Sequence, residues 1–233
     1  MNKVVRLNKD HEDGKEKLKY SRFLTHFPEF NLGSLLVTFI CVIIMIIATF
    51  IIIPVGLYDS RLINDTYSYF NDINNIILTL HTHLYTPQIP VAVFAGALLG
   101  PKLGSFAMII YVILGLLGFP VFAYGGGIRY IFKPMFGFIL GYILSSYVVG
   151  KINQRNLSSL TIILGSIAGV ISAHFIGDVY LVYNLYSSGS TWTNIQSWLW
   201  SMSFSNIGYD IIFSIILSSL ARPIRGLLWV TMG

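Results

Sequence analysis

A single cysteine, Cys41, stands in 233 residues. No intrachain disulfide can form, so a disulfide-stapled secreted fold is excluded. Charge is scarce too: Asp, Glu, Lys and Arg make up 11% of the chain, against about a quarter in an average soluble domain. A surface so poor in charge does not stay dispersed in water, which sets aside a cytosolic globular protein. Disorder is excluded by the 55% hydrophobic and 15% aromatic content. No Walker A pattern is present: Gly96 to Lys102 lacks both the spacing and the Ser or Thr after the lysine. The chain therefore cannot hydrolyse a nucleotide in that way. Ser166 lies in Gly-Ser-Ile-Ala-Gly rather than Gly-x-Ser-x-Gly, and His174 is eight residues on, so the two do not read as nucleophile and base. An enzyme should show catalytic groups paired within hydrogen-bond reach, and no such pair can be read here; no catalytic residue and no cofactor are expected. His81-x-His83 could ligate a metal if extended, but two histidines in a polar segment without nearby Cys or Glu read as solvated, and no metal is expected.

What is present is apolar sequence in long charge-free intervals. A membrane-spanning helix needs about 20 mostly apolar residues. Six intervals qualify: Asn31 to Tyr58 with its core from Leu35 to Val55; Ile73 to Pro101 with its apolar half from Ile89 to Gly100; and Leu103 to Ile128 with its core from Leu103 to Phe122. Then come Pro134 to Gly150, Asn156 to Gly177, and Trp198 to Leu220, which contains Asp210. The predicted fold is an all-α integral membrane protein, a six-transmembrane-helix bundle.

Lys and Arg placement sets orientation. Twelve of the fifteen fall on one side: seven before the first helix, then Lys102, Lys151, Arg155, Arg222 and Arg225; Arg61, Arg129 and Lys133 fall on the other. Both termini are expected in the cytoplasm, which an even helix count allows. The formal charge of +5 is read as this loop excess, with the lipid bilayer as partner and no nucleic acid. Residues 1–34 are expected to form a flexible cytoplasmic tail and residues 35–228 the membrane domain, with an outer insert at about 58–85. The first apolar run begins too late for a signal peptide. Pro101-x-x-Gly104 and Pro134-x-x-Gly137 are alike, but the likeness ends there, so no internal repeat is read.

Small residues four apart let membrane helices approach closely. Gly96, Gly100 and Gly104 form one row, Gly137 and Gly141 another, and Gly165, Gly169, Ala173 and Gly177 a third. They are read as helix contacts within the bundle. The candidate functional residues are polar groups at membrane depth, where an ionisable side chain is costly. Asp210 is the first of these. His174 and Asp178 are expected to close the fifth helix. Tyr124, Gly125, Gly126 and Gly127 form a loop of bare backbone that lets a ligand or another helix come close, and Arg129 and Lys133 follow at once. Together they would give an outward pocket with one carboxylate, two cations and a glycine lid, suited to a small polar anion.

At Ala95-Gly-Ala-Leu-Leu-Gly-Pro-Lys-Leu-Gly104, Leu114-Gly-Leu-Leu-Gly-Phe-Pro-Val-Phe122, Gly125-Gly-Gly127 and Lys133-Pro-Met-Phe-Gly-Phe138 the sequence resembles the BioY family. These are the biotin-binding membrane subunits (S components) of energy-coupling-factor transporters. Gln88 with Thr86 looks like the family's Thr-x-Gln, His174-Phe-Ile-Gly177 stands in place of a Tyr-x-x-Gly, and Ile207-Gly-Tyr-Asp210 resembles the Pro-Gly-Asp that opens its last helix. Phe213 stands where the family usually has a lysine. The resemblance implies a substrate-binding subunit of a vitamin importer, not an enzyme, in the bacterial plasma membrane. It would capture biotin outside and work with a coupling membrane protein and two ATPase subunits. The implied binding residues are Gln88, Tyr124, Gly125, Gly126, Gly127, Arg129, Lys133, His174 and Asp210. The alternatives are the same fold tuned to another small polar solute, a membrane-integral enzyme using Asp210 and His174, or a structural membrane protein.

Overall fold

A computed structural model describes residues 32–56, 82–154 and 156–232. Most of the expected N-terminal tail, most of the outer insert, His81 and Arg155 lie outside the described residues. Five helical stretches are long and apolar enough to cross a membrane: Leu32–Phe50, Gln88–Leu116, Phe136–Asn153, Ser159–Ser187 and Trp192–Leu228. The chain is a mostly helical, multi-pass membrane protein.

Helix α1 (Leu32–Phe50) ends five residues before the apolar run does. The cause is local: Ile51, Ile52 and Ile53 are β-branched and favour extended backbone, and Pro54 pushes the residue before it out of the helical region. The chain instead forms β1 (Ile53–Gly56), paired antiparallel with β2 (Thr82–Tyr85), Ile53 opposite Tyr85 and Gly56 opposite Thr82. This two-stranded ribbon corrects the all-helical expectation. It also places the second helix's start at Gln88, after Pro87, rather than within the polar sequence before it.

Helix α2 (Gln88–Leu116) is broken at Gly100, where φ is 84° and ψ −178°, followed by Pro101. A Cβ on Gly104 would stand 2.9 Å from the Cα of Gly96; in a continuous helix those residues are about 12 Å apart. The limbs 88–99 and 101–116 therefore fold back on each other. The second limb stops at Leu116, short of the expected Phe122, because Gly118 takes a positive φ of 106° and Pro120 follows. Helix α3 (Phe136–Asn153) lies across the hairpin, and α4 (Ser159–Ser187) lies along α3. The glycine rows mark these crossings. Cβ atoms on Gly96, Gly141 and Gly150 would meet backbone of Ser146, Ala173 and Pro101 at 2.2, 2.5 and 2.3 Å. A capping box starts α4: Thr161 N donates to Ser158 Oγ at 3.2 Å, and Ser158 N donates to Thr161 Oγ1 at 2.9 Å.

Helix α4 runs ten residues past the expected Gly177, so His174 and Asp178 sit within it rather than at its end. Its last turns hold the segment Ile128–Phe132, a 3-10 helix: Tyr180 Oη donates to the carbonyl of Ile131, and Asn184 Nδ2 to that of Phe132 at 3.1 Å. The last stretch is segmented. Helix α5 (Trp192–Leu199) passes through a π-helical turn at Trp200–Phe204, with Ser205 N donating to Trp200 O at 3.1 Å, into α6 (Ile207–Ser219) and α7 (Ala221–Met232).

Arg225, counted in the sequence only as a topology marker, is buried at 4% exposure. Its Nε donates to Leu98 O at 2.9 Å and its Nη2 to Ala97 O. Those carbonyls end the first limb of α2, where the break at Gly100 removes the next turn's donors and the helix dipole favours a cation. Arg225→Ala leaves two buried acceptors unsatisfied, at roughly 1–3 kcal/mol each. Its melting temperature is expected to fall clearly, and Arg225→Lys, a single point charge without the planar fork, should recover only part of the loss. An unchanged melting temperature in Arg225→Ala would refute this role.

Candidate functional site

A cavity of about 410 Å³ lies between β2, both limbs of α2, α3 and the π-helical turn. Its walls are largely aromatic and polar at the tip: Tyr85, Tyr111, Tyr124, Tyr130, Tyr142 and Phe138, joined by Gln88, Met202, Asn206 and Asp210. A concave, mostly apolar site with a few converging polar groups is the general form of a small-ligand pocket.

Asp210 opens onto the cavity from the first turn of α6 and is 2% exposed. Tyr85 Oη donates to its Oδ1 at 2.7 Å, and His174 Nε2 lies 2.9 Å from its Oδ2. The partners continue behind it: His174 Nδ1 is 2.8 Å from Ser203 Oγ, and Ser203 donates to Asp178 Oδ2 at 2.9 Å. Buried and facing the Asp210 carboxylate, the Tyr85 hydroxyl acts as a donor. On the α3 side, Tyr142 Oη donates to Gln88 Oε1 at 2.5 Å.

The sequence-predicted residues fall into three groups. Gln88, Tyr124 and Asp210 line the cavity, with His174 one hydrogen bond behind Asp210. Lys133 stands at the rim: its Nζ lies 5.1 Å from the Tyr124 ring centroid and 4.7 Å from that of Tyr130, in cation–π range. Arg129 is exposed and does not line the cavity. Gly125 and Gly127 take positive φ, 98° and 100°, as the loop requires. The close neighbour their backbone admits is the protein itself. Gly127 N donates to Gly115 O at 2.7 Å, and a Cβ on Gly126 would meet Phe119 O at 2.2 Å. The loop is seated on the end of α2, and Tyr124 is its contact with the cavity.

Sequence reasoning missed Tyr85, Tyr111, Tyr130 and Tyr142. Their signal was a hydroxyl-bearing ring inside or just outside an apolar run, which reads as an interfacial aromatic unless its partner is known. Ser203, one serine in a serine-rich stretch, carries no signal of its own. Among the described residues, no cluster of three or more His, Cys, Asp or Glu side chains could hold a metal.

The sequence profile of the BioY family matches residues 73–228, two-thirds of the chain, and spans every element that builds the cavity. The chain belongs to the BioY family. A probable biotin transporter BioY of Lysinibacillus sphaericus is 35% identical over 122 residues, covering 52% of this chain and 60% of that protein. One from Pyrococcus horikoshii is 37% identical over 97 residues, 41% of this chain and 57% of that one. This BioY chain thus spans under two-thirds of the length of these relatives. A crystal structure described as the S-component for biotin from an ECF-type ABC transporter aligns over 83% of this chain and 90% of its own, with a TM-score of 0.58 and 22% identity. At that identity the likeness is one of fold.

Proposed function

We propose that this BioY chain is the substrate-capturing membrane subunit of a vitamin importer and that its cavity takes biotin. The observation that carries the reading is the buried Asp210 carboxylate at the wall of an aromatic cavity, within a BioY fold. Biotin's ureido ring offers two N–H donors, and an ionised carboxylate is an acceptor only. The thioether ring and alkyl chain suit the tyrosine and phenylalanine walls. The relatives' names point to the same ligand. The protein binds its substrate without transforming it. With no Walker A pattern in the sequence, the energy comes from a separate coupling membrane protein carrying two ATPases, and the assembly sits in the bacterial plasma membrane. Purified protein should bind labelled biotin and show no ATPase activity, and liposome uptake should need the coupling module. Concentrative uptake by this chain alone would overturn the division of labour.

The carboxylate of biotin is assigned to the rim, where Lys133 supplies the cation. Lys133→Ala should weaken biotin by about 2- to 5-fold, as partly exposed charges do, and leave biotin methyl ester nearly unaffected. Arg129→Ala, at a side chain exposed outside the cavity, should change neither. Equal losses for acid and ester in Lys133→Ala would redirect the proposal to another small polar solute held by Asp210.

Six crossings with both termini cytoplasmic complete the proposal. The limbs of α2 serve as the second and third crossings. Each is short of the bilayer's full depth, about 18 and 24 Å at 1.5 Å per residue. Irregular backbone at membrane depth is tolerated where it is buried in protein or lines a cavity, and β2 and the loop 117–127 extend the limbs in that way. Reporter tags at Met1 and Gly233 should be cytoplasmic and a tag at Asn71 external. An external tag at Asn153 would sink the arrangement.

A further inference from the structure

Three hydrogen bonds join Asp178, Ser203, His174 and Asp210 in a row, at 2.9, 2.8 and 2.9 Å. Each bond needs one hydrogen. The Ser203 hydroxyl brings one and a neutral imidazole brings one. The third must be an additional proton, held by Asp178, His174 or Asp210. Whichever end it occupies, all three bonds are made, and the arrangements differ only in where the hydrogens lie. With the proton on Asp178, its carboxyl donates to Ser203, Ser203 to Nδ1, and Nε2–H to an ionised Asp210. With the proton on Asp210, every donor reverses.

A second observation supports a proton that reaches the far end. Asp178 Oδ1 is buried without a hydrogen-bond partner, a poor setting for a carboxylate held permanently ionised. A third concerns charge. The ring of Phe213, in the turn after Asp210, stacks on Tyr85 with centroids 5.2 Å apart. No Lys or Arg lines the cavity among the described residues. The other titratable groups around the cavity are the hydroxyls of Tyr85 from β2, Tyr111 from α2, Tyr142 from α3, and Tyr124 and Tyr130 beside the glycine loop; of these Tyr85 is bonded to Asp210. The α3 side also presents the Phe138 ring to His174, at 5.8 Å. Among the described residues no cation lines the cavity to offset the two carboxylates.

We infer that Asp178, Ser203, His174 and Asp210 form a proton-storing relay behind the ligand cavity, holding one added proton and making ligand binding at Asp210 depend on pH. This rests on the reading of the cavity as a biotin site. A ligand N–H pointing at Asp210 favours the arrangement with the proton displaced toward His174 and Asp178. His174 is a positioning residue, acting through Asp210 rather than on the ligand. When rising pH removes the added proton, two lone pairs face each other in one of the bonds and the relay gains a negative charge behind the cavity wall. An anionic ligand then binds less well.

The test uses wild type and Asp178→Asn. In that variant the side-chain amide N–H can donate to Ser203, Ser203 to Nδ1, and Nε2–H to ionised Asp210, so all three bonds form with no added proton. Between about pH 6 and 9, wild-type biotin affinity should fall as pH rises, by up to about tenfold per unit, the limit for one proton. Asp178→Asn should bind with an affinity independent of pH. The ligand-free proteins give a second readout. The native wild type holds a proton that the unfolded chain releases, so its melting temperature should fall with rising pH, and that of Asp178→Asn should not. Equal pH dependence in the two proteins, or none in either, overturns the relay. If biotin binds but the wild-type profiles are flat, the relay fails and the biotin reading stands. If the melting profiles differ as expected but biotin does not bind at any pH, the relay stands and the biotin reading fails.

Discussion

Asp210→Asn is expected to weaken biotin binding by about 10- to 100-fold while the protein stays folded. The magnitude follows from the charge removed: hydrogen bonds to ionised groups are worth about 1.5–3 kcal/mol, and each 1.4 kcal/mol is a factor of ten. Folding is spared because the amide still satisfies its neighbours. The amide carbonyl accepts from Tyr85 Oη, which in the wild type meets Oδ1 at 2.7 Å. The amide N–H donates to His174 Nε2, which stands 2.9 Å from Oδ2. What is lost is the second acceptor facing the cavity. Titration with labelled biotin, beside a melting curve, separates the two effects. An affinity within twofold of wild type would remove Asp210 from the ligand's contacts.

Gly96→Val should be the most damaging single change to the fold. The Cβ alone would lie 2.2 Å from the carbonyl oxygen of Ser146 and 2.8 Å from its Cα. Backbone on both sides must then move, because no flexible side chain is present to yield. Gly104 on the returning limb packs on the same Ser146, where an added Cβ would lie 2.6 Å from its Oγ, so the shift spreads to a three-way junction. Overpacking by one methyl costs roughly 1–3 kcal/mol, so Gly96→Ala should lower the melting temperature by about 3–10 °C. Gly96→Val should yield no monodisperse protein. Gly208→Ala, with nothing within 4 Å of the added carbon, is the matched control. A Gly96→Val protein that purifies and melts like wild type would contradict the packing.

Much of the bundle was readable from composition because lipid imposes one rule: backbone groups pair locally, so apolar runs become helices. Helix α3 came out within three residues at each end, and the rows at Gly96, Gly141 and Gly169 lie at contacts, as their spacing implied. Helix ends were less legible. Asp178, Asn184 and Ser187 look like a loop by hydropathy, yet they belong to α4, where the 3-10 segment partners Asn184 and Ser203 partners Asp178. Those partners are 25 or more residues away in sequence. The same distance hid Tyr85, whose partner Asp210 is 125 residues on. Asp210 and His174 stood out singly, since a polar side chain at depth is conspicuous alone, but their mutual bond and the Ser203 link depend on how α4 and α6 meet. Lys133 and Arg129 were placed together by adjacency, and the 3-10 helix separates them: one reaches the aromatic rim and the other faces outward.

The π-helical turn at Trp200–Phe204 also sets a phase. Each residue advances an α-helix by about 100°, and a π turn accommodates one more residue than regular winding would. Suppose the turn relaxed into ordinary helix with no residue removed. The sequence downstream would be intact, yet its azimuth relative to α5 would swing by roughly a quarter-turn or more. Asp210, Ser214, Ser218 and Arg225, all buried, would rotate away from the cavity and from the α2 break together. In this segment winding and length are coded together: loss of one residue along with the π turn would keep the downstream azimuth, and a change in either one alone would not.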